Sequence, residues 1–138
     1  MIPDGFTLHD RSSPVTRPWE PLYRRITPEA YILALRVADP HCNARGLVHG
    51  GVIATLADNA MGLSVAMRSD PPSAPITVNL GLDYLGMAKA GQWLDFTTVF
   101  VKLGNSLAFA SCLVQADGEP VARGNATFKL ASRASRTA

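Results

Sequence analysis

The residues from His49 to Met67, HGGVIATLADNAMGLSVAM, form an apolar run of helical length, and between Arg45 and Arg68 the only fixed charge is Asp58. Few folds accommodate such a run. As a bilayer span it is short, and it carries Thr55, Asp58, Asn59 and Ser64. As a surface helix it lacks a polar face. What remains is a helix enclosed by other parts of the chain, opened by Gly50 and Gly51 and ended by the prolines of SDPPSAP.

The material that encloses it lies close by in sequence. After Pro75 the period changes to two: Val78, Leu80, Leu82 and Tyr84 alternate with Asn79, Gly81 and Asp83, which predicts a half-buried strand. QWLDFTTVFVK and SLAFASCLVQA predict two more strands, turned at Gly104 and Asn105. Asp117-Gly118 is a hairpin signal leading into PVARGNATFKL. Ahead of the helix, AYILALRVA (Ala30 to Ala38) is a dense apolar run of strand length, and DPHCNARG is a loop.

Connections this short leave no room for helical crossovers. The strands therefore pair antiparallel and the class is α+β, a curved antiparallel β-sheet wrapped around one long central helix. A chain of 138 residues, 47% hydrophobic and 17% charged, suffices for one such core. The domain is expected over residues 22–130. A proline-rich extended segment, residues 1–21, precedes it with Trp19 as anchor, and a solvated tail, residues 131–138, follows.

Charge and cysteine usage exclude other classes. A net charge of +2 without a basic patch argues against nucleic acid. Cys42 and Cys112 make neither a CxxC pair nor a disulfide framework, and the chain does not start with a basic and then apolar segment. A cytoplasmic location is the expectation.

The first turn of a helix carries unpaired N–H groups and the positive end of the helix dipole. Gly50 and Gly51 let a ligand oxygen approach those donors, where a carbonyl would be polarised and an oxyanion stabilised. The plainer alternative is a tight turn into the helix. Asp58 bears on the choice, because a buried carboxylate must be paired, hydrogen-bonded or protonated. It lies eight residues beyond Gly50, about 12 Å along the axis, too far for one small substrate group to touch both on one chain. If the two cooperate, the acid comes from a second copy, and a two-fold dimer with antiparallel helices supplies two composite sites.

Asn43, then His49-Gly50-Gly51, then Asp58 resembles the signature of the hotdog-fold acyl-CoA thioesterases of the phenylacetate (PaaI-like) type. TVNLGLDYLGMAKAGQWL and VKLGNSLAFASCLV extend the likeness over most of the chain. The resemblance implies a hotdog fold, homodimers paired into dimers of dimers, acyl-CoA as substrate, and hydrolysis to free acid and coenzyme A with no metal or other cofactor. It implies Asp58 as nucleophile or general base and the Gly50 amide as oxyanion donor. Asn43 and His49 would orient the thioester or the water, and the Thr77 hydroxyl would hold that water. Gly51, Lys102, Gly104, Asn105 and Ser106 are the implied substrate-binding set. The chain departs from the pattern at Gly86-Met87, where many relatives carry Arg-Pro, and at Asn105, where a basic residue is common; Lys89 and Lys102 are the candidate replacements.

Two competing functions share the fold: a non-catalytic acyl-CoA-binding protein, and a hydratase or dehydratase, for which no second acid is identifiable. Several local patterns are weaker. GLSVA (Gly62 to Ala66) sits inside the helix rather than at a nucleophile elbow. His41, Cys42, His49 and Asp58 lack zinc-ligand spacing, and Cys42 has no activating neighbour.

Overall fold

The structure, a computed structural model, describes residues 1–131; the tail beyond, with Arg133 and Arg136, lies outside the described residues. The apolar run forms helix α1, Gly50–Arg68, capped by His49 at its start and by Ser69 at its end. The Ser69 hydroxyl donates to the Val65 carbonyl at 2.7 Å, which satisfies one of the acceptors the last turn leaves open. α1 is long and apolar enough to cross a membrane by length and composition. Here Val52, Leu56, Ala57, Ala60, Met61 and Val65 bury their side chains against the chain's own sheet instead.

Seven strands make that sheet: β1 (Thr7–Leu8), β2 (Tyr23–Ile26), β3 (Tyr31–Arg36), β4 (Ile76–Tyr84), β5 (Trp93–Leu103), β6 (Leu107–Ala116) and β7 (Glu119–Lys129). All pairings are antiparallel, in the order β1-β2-β3-β5-β6-β7-β4. The strand before the helix and the four after it lie where the apolar patterns place them, and α1 packs across β3, β5, β6, β7 and β4. β5, β6 and β7 alternate buried and exposed positions, burying Leu94, Phe96, Ala110, Val114 and Phe128. Ser64 ties helix to sheet. Fully buried, its hydroxyl donates to the Ala60 carbonyl at 2.9 Å and accepts the Tyr31 amide at 3.0 Å, so the serine of GLSVA is structural.

Two features differ from the sequence reading. The helix is not apolar-packed all round. Ala54, Thr55, Asp58, Asn59, Gly62, Leu63, Ala66 and Met67 recur at helical spacing on a face that the sheet leaves half-open. Nor does β4 present a simple half-buried alternation: only Leu80 and Leu82 are partly covered, while Val78 and Tyr84 are 54% and 52% exposed. β4 is an edge strand, and its register on β7 shifts between Thr77 and Asn79. Val78 is the extra residue of that bulge. The inserted residue turns Thr77 to the helix side, opposite Phe128, whereas strict alternation would aim it outward with Asn79.

Residues 1–21 run alongside the sheet and contribute to it. β1 pairs with β2, and His9 N–H donates to the Leu22 carbonyl at 2.9 Å. Phe6 meets Trp93 edge-on at 5.2 Å, with the Arg25 guanidinium over the Phe6 ring. Trp19 packs against the core, and its carbonyl is 2.9 Å from His41 Nε2. Asp10 pairs with Arg24 at 2.8 Å, and His9 Nδ1 lies 2.8 Å from the Tyr31 hydroxyl.

His9 supplies a pH dependence. Burial, above all, lowers its pKa below the ordinary histidine value, against smaller raising contributions from an Arg11 backbone hydrogen bond and Asp10. A histidine with a depressed folded pKa stabilises fully above its unfolded value and loses that stability as pH falls through it. Acidification below about pH 6.5 is expected to loosen residues 1–21, read as faster limited proteolysis of that segment. His9→Gln, which cannot titrate, is expected to show no such acid-dependent step.

Candidate active site

The loop from Cys42 to Val48 folds back as a small bridge-closed turn that delivers the chain to the start of α1. Asn43 builds this turn. Its Oδ1 accepts the Arg45 and Leu47 amides at 2.9 and 3.2 Å, and Gly46 sits at a φ of 75°, which only glycine adopts readily. The carbonyl side of Asn43 is thus occupied by its own loop, and only its Nδ2 is left to face a ligand.

At the helix start the donors are not equivalent. The Val52 and Ile53 amides reach the His49 carbonyl at 3.0 and 3.3 Å. The Gly51 amide donates to His49 Nδ1 at 2.8 Å. The amide of Gly51, expected among the substrate-binding donors, here satisfies the cap, as the N-cap preference for a side-chain acceptor explains. Gly50 N–H alone has no partner among the described residues. Because Nδ1 of His49 accepts, a neutral ring carries its proton on Nε2, and the side chain is exposed.

Tyr84, which the sequence pattern marked only as a strand residue, completes this corner. Its hydroxyl donates to the Gly50 carbonyl at 2.6 Å. A Cβ on Gly50 would stand 3.4 Å from the Tyr84 ring, at van der Waals contact.

Asp58 sits two turns further along, half-buried rather than enclosed. The bulge in β4 brings the Thr77 hydroxyl to donate to its Oδ1 at 2.7 Å. Both line a cleft of ≈330 Å³ with Gly62, Leu63, Pro75, Phe128 and Arg11. Thr77 and Asp58 are thus brought together, and His49 and Gly50 are brought together, but the two pairs stand about 12 Å apart along one helix.

Lys102, Gly104, Asn105 and Ser106 lie at the β5–β6 turn and do not line the Asp58 cleft. The turn is structurally specified: Gly104 N–H donates to the Leu107 carbonyl at 2.8 Å, and Leu130 N–H donates to the Ser106 carbonyl at 2.8 Å. Burial raises the pKa of Cys42, with Asp39 adding to it, and burial pushes the Cys112 thiol up to about 12, so neither sulfur is poised as a nucleophile. Among the described residues no three His, Cys, Asp or Glu side chains converge on a metal-sized site.

The family model described as Thioesterase superfamily matches residues 45–123. A candidate esterase of Pseudomonas aeruginosa is 38% identical over 130 residues, covering 94% of this chain and 97% of that one. Human acyl-coenzyme A thioesterase 13 is 35% identical over 107 residues, covering 75% and 74%. Among solved structures, zebrafish thioesterase superfamily member 2 superposes with a TM-score of 0.79 at 28% identity over 86% of this chain and 88% of that one. A variant of the Thermus thermophilus phenylacetic acid degradation protein PaaI superposes with a TM-score of 0.74 at 24% identity, over 85% and 98%. A long helix on an antiparallel sheet with this loop signature is the hotdog architecture of thioester hydrolases. The chain belongs to the Thioesterase superfamily.

The β5–β6 turn gives a stability prediction. A Cβ at Gly104 would lie 2.8 Å from the Leu107 carbonyl oxygen, a backbone atom that cannot swing away. Gly104→Ala is expected to lower unfolding free energy by about 1–3 kcal/mol, measured by denaturant titration.

Proposed function

We propose that this protein hydrolyses acyl-CoA to free acid and coenzyme A in a cleft shared by two copies of the chain. The observation that carries the reading is the division of labour on α1. Its one unpartnered N-terminal amide belongs to Gly50, while its one carboxylate, held by Thr77, stands two turns away. An antiparallel pair of helices sets each Asp58 opposite the partner subunit's Gly50.

Two surfaces support such a pair. The half-open face of α1, in which Ala54, Gly62 and Ala66 are interspersed with larger side chains, leaves room for a second helix across the cleft. β4 offers an unpaired edge whose Ile76 and Val78 are 65% and 54% exposed, a template for strand pairing. A second contact, making a dimer of dimers, is supported by Val99, Phe100 and Phe109, exposed on β5 and β6.

In the shared cleft the partner subunit's Gly50 amide donates to the thioester oxygen, and the His49 Nε2–H beside it adds a second donor. Asp58, aligned by Thr77, takes a proton from water as the water attacks the carbonyl carbon, or attacks that carbon itself. The C–S bond then breaks. A thiolate with a pKa of about 8.5 leaves without a strong general acid, so this small set of groups suffices. Asn43 Nδ2 is left to orient the acyl group, and the β5–β6 turn with Lys102, Asn105 and Ser106, together with Lys89, is assigned to coenzyme A. The reaction calls for no metal or redox cofactor, and a cytoplasmic setting fits the cysteine usage.

Mixed dimers test the shared cleft. Asp58→Asn is expected to lower kcat by about 100- to 10,000-fold. Gly50→Pro deletes the proposed donor at a helix position that favours proline, and His49 already has the extended conformation a following proline demands (φ −66°, ψ 134°). Each variant alone is expected to be inactive. Co-refolded together, they should recover roughly a quarter of wild-type activity, because half the dimers regain one intact site. Absence of recovery from folded mixed dimers refutes the shared cleft. Thr77→Val is expected to lower kcat about ten-fold with little change in KM.

A further inference from the structure

The cleft at Asp58 does not end at the carboxylate. It runs along α1 past Gly62 and Leu63 to Ala66, and a second hollow of ≈480 Å³ continues it, sharing Arg11, Leu63, Ala66, Ser73 and Ala74. Leu63, Pro75 and Phe128 give the first part an apolar wall. At the junction the character changes, because Arg11 and Ser73 line both hollows.

Arg11 is delivered there by a segment fixed on either side. His9 is bonded to Leu22 and Tyr31, Asp10 is paired with Arg24, and Ser13 bonds Thr16, whose side chain is buried. Of the two arginines lining the outer hollow, Arg24 has its counter-ion in Asp10, whereas Arg11 has no carboxylate within 4.0 Å among the described residues. The buried Ser73 Oγ likewise has no hydrogen-bond partner there. A guanidinium without a counter-ion and a hydroxyl without a partner, at the end of an apolar channel that begins at a carboxylate, match a ligand with an apolar body and a distal anion.

We infer that the acyl group this protein accepts carries a carboxylate at its far end, bound by Arg11 with Ser73, so that the substrates are CoA monothioesters of dicarboxylic acids. This rests on the hydrolase reading above and specifies its acyl group. Hydrolysis of such a thioester breaks the C–S bond, joins water oxygen to the carbonyl carbon, and sends the proton to the departing thiolate. The product is a dicarboxylic acid. A free carboxylate at the Asp58 end would meet like charge, so the geometry also sets which end enters first.

The test compares CoA thioesters matched in carbon number, hexanoyl against adipoyl and octanoyl against suberoyl, by thiol release from the intact protein. The dicarboxylic member of at least one pair is expected to have the higher kcat/KM, by about ten-fold, and the preference should shrink at high salt. Arg11→Gln should cut the ratio within that pair about ten-fold, while Arg11→Lys should retain part of it. A wild-type preference for the monocarboxylic members overturns the inference. So does an equal loss on both members in Arg11→Gln, which would place the guanidinium on coenzyme A. Binding of the same pairs to Asp58→Asn, with and without Arg11→Gln, by calorimetry separates the two readings. Selective binding of adipoyl- or suberoyl-CoA without turnover in the wild type refutes hydrolysis and keeps the carboxylate site; turnover without selectivity refutes the site and keeps hydrolysis.

Discussion

An α-helix advances about 1.5 Å per residue, and α1 does so without a break from Gly50 to Arg68. That fixed advance governs the arrangement around it. The polar end of the helix, where backbone donors point outward, is separated from its single carboxylate by two full turns of a rigid rod buried against five strands. Ser64 and the packed faces of Leu56, Ala60 and Met61 hold the rod in place, so the separation cannot be closed by bending. In the proposed dimer a second rod running the other way places donor opposite acid. The half-open face of α1 and the exposed edge at β4 then cease to be defects of a small protein and become its contacts.

Much of this was legible in the sequence, for an identifiable reason. Strands β5, β6 and β7 each have a buried and an exposed face, so their period of two survives in the residue pattern, and the Asp117-Gly118 turn punctuates it. The helix was legible because its apolar run carries a single fixed charge, Asp58, before Arg68 and is bounded by Gly50-Gly51 and the prolines of SDPPSAP. β1 and β2 were not, since Tyr23-Arg24-Arg25-Ile26 carries two charges whose partners, Asp10 and the Phe6 ring, lie far off in sequence. Propensity cannot report a strand held by such tertiary contacts.

The site divides along the same line. The loop-to-helix signature placed Asn43, His49, Gly50 and Asp58 on the right elements, because each is fixed by local backbone geometry. Thr77 is where pattern and geometry conflict. By alternation it points away from the helix, and only the bulge at Val78 brings it to Asp58. Tyr84 escaped notice because its role is a bond to a backbone carbonyl 34 residues earlier. Arg11 escaped for a similar reason: a proline-rich segment without periodicity gives no sign that it lies over the helix. The Gly51 amide is met by the neighbouring imidazole, a competition that a Gly-Gly pair does not disclose.

The two sulfurs, Cys112 buried and Cys42 only partly covered, carry a last consequence. Exchange between a protein thiol and a small disulfide proceeds through the thiolate; burial holds Cys112 back from that form, and partial desolvation with the nearby Asp39 shifts Cys42 the same way. Under the proposed reaction, which releases coenzyme A at every turnover, the protein works among free thiols and, as these oxidise, among their disulfides. With Cys112 enclosed and Cys42 shifted away from its thiolate, its own sulfurs compete poorly for what it releases.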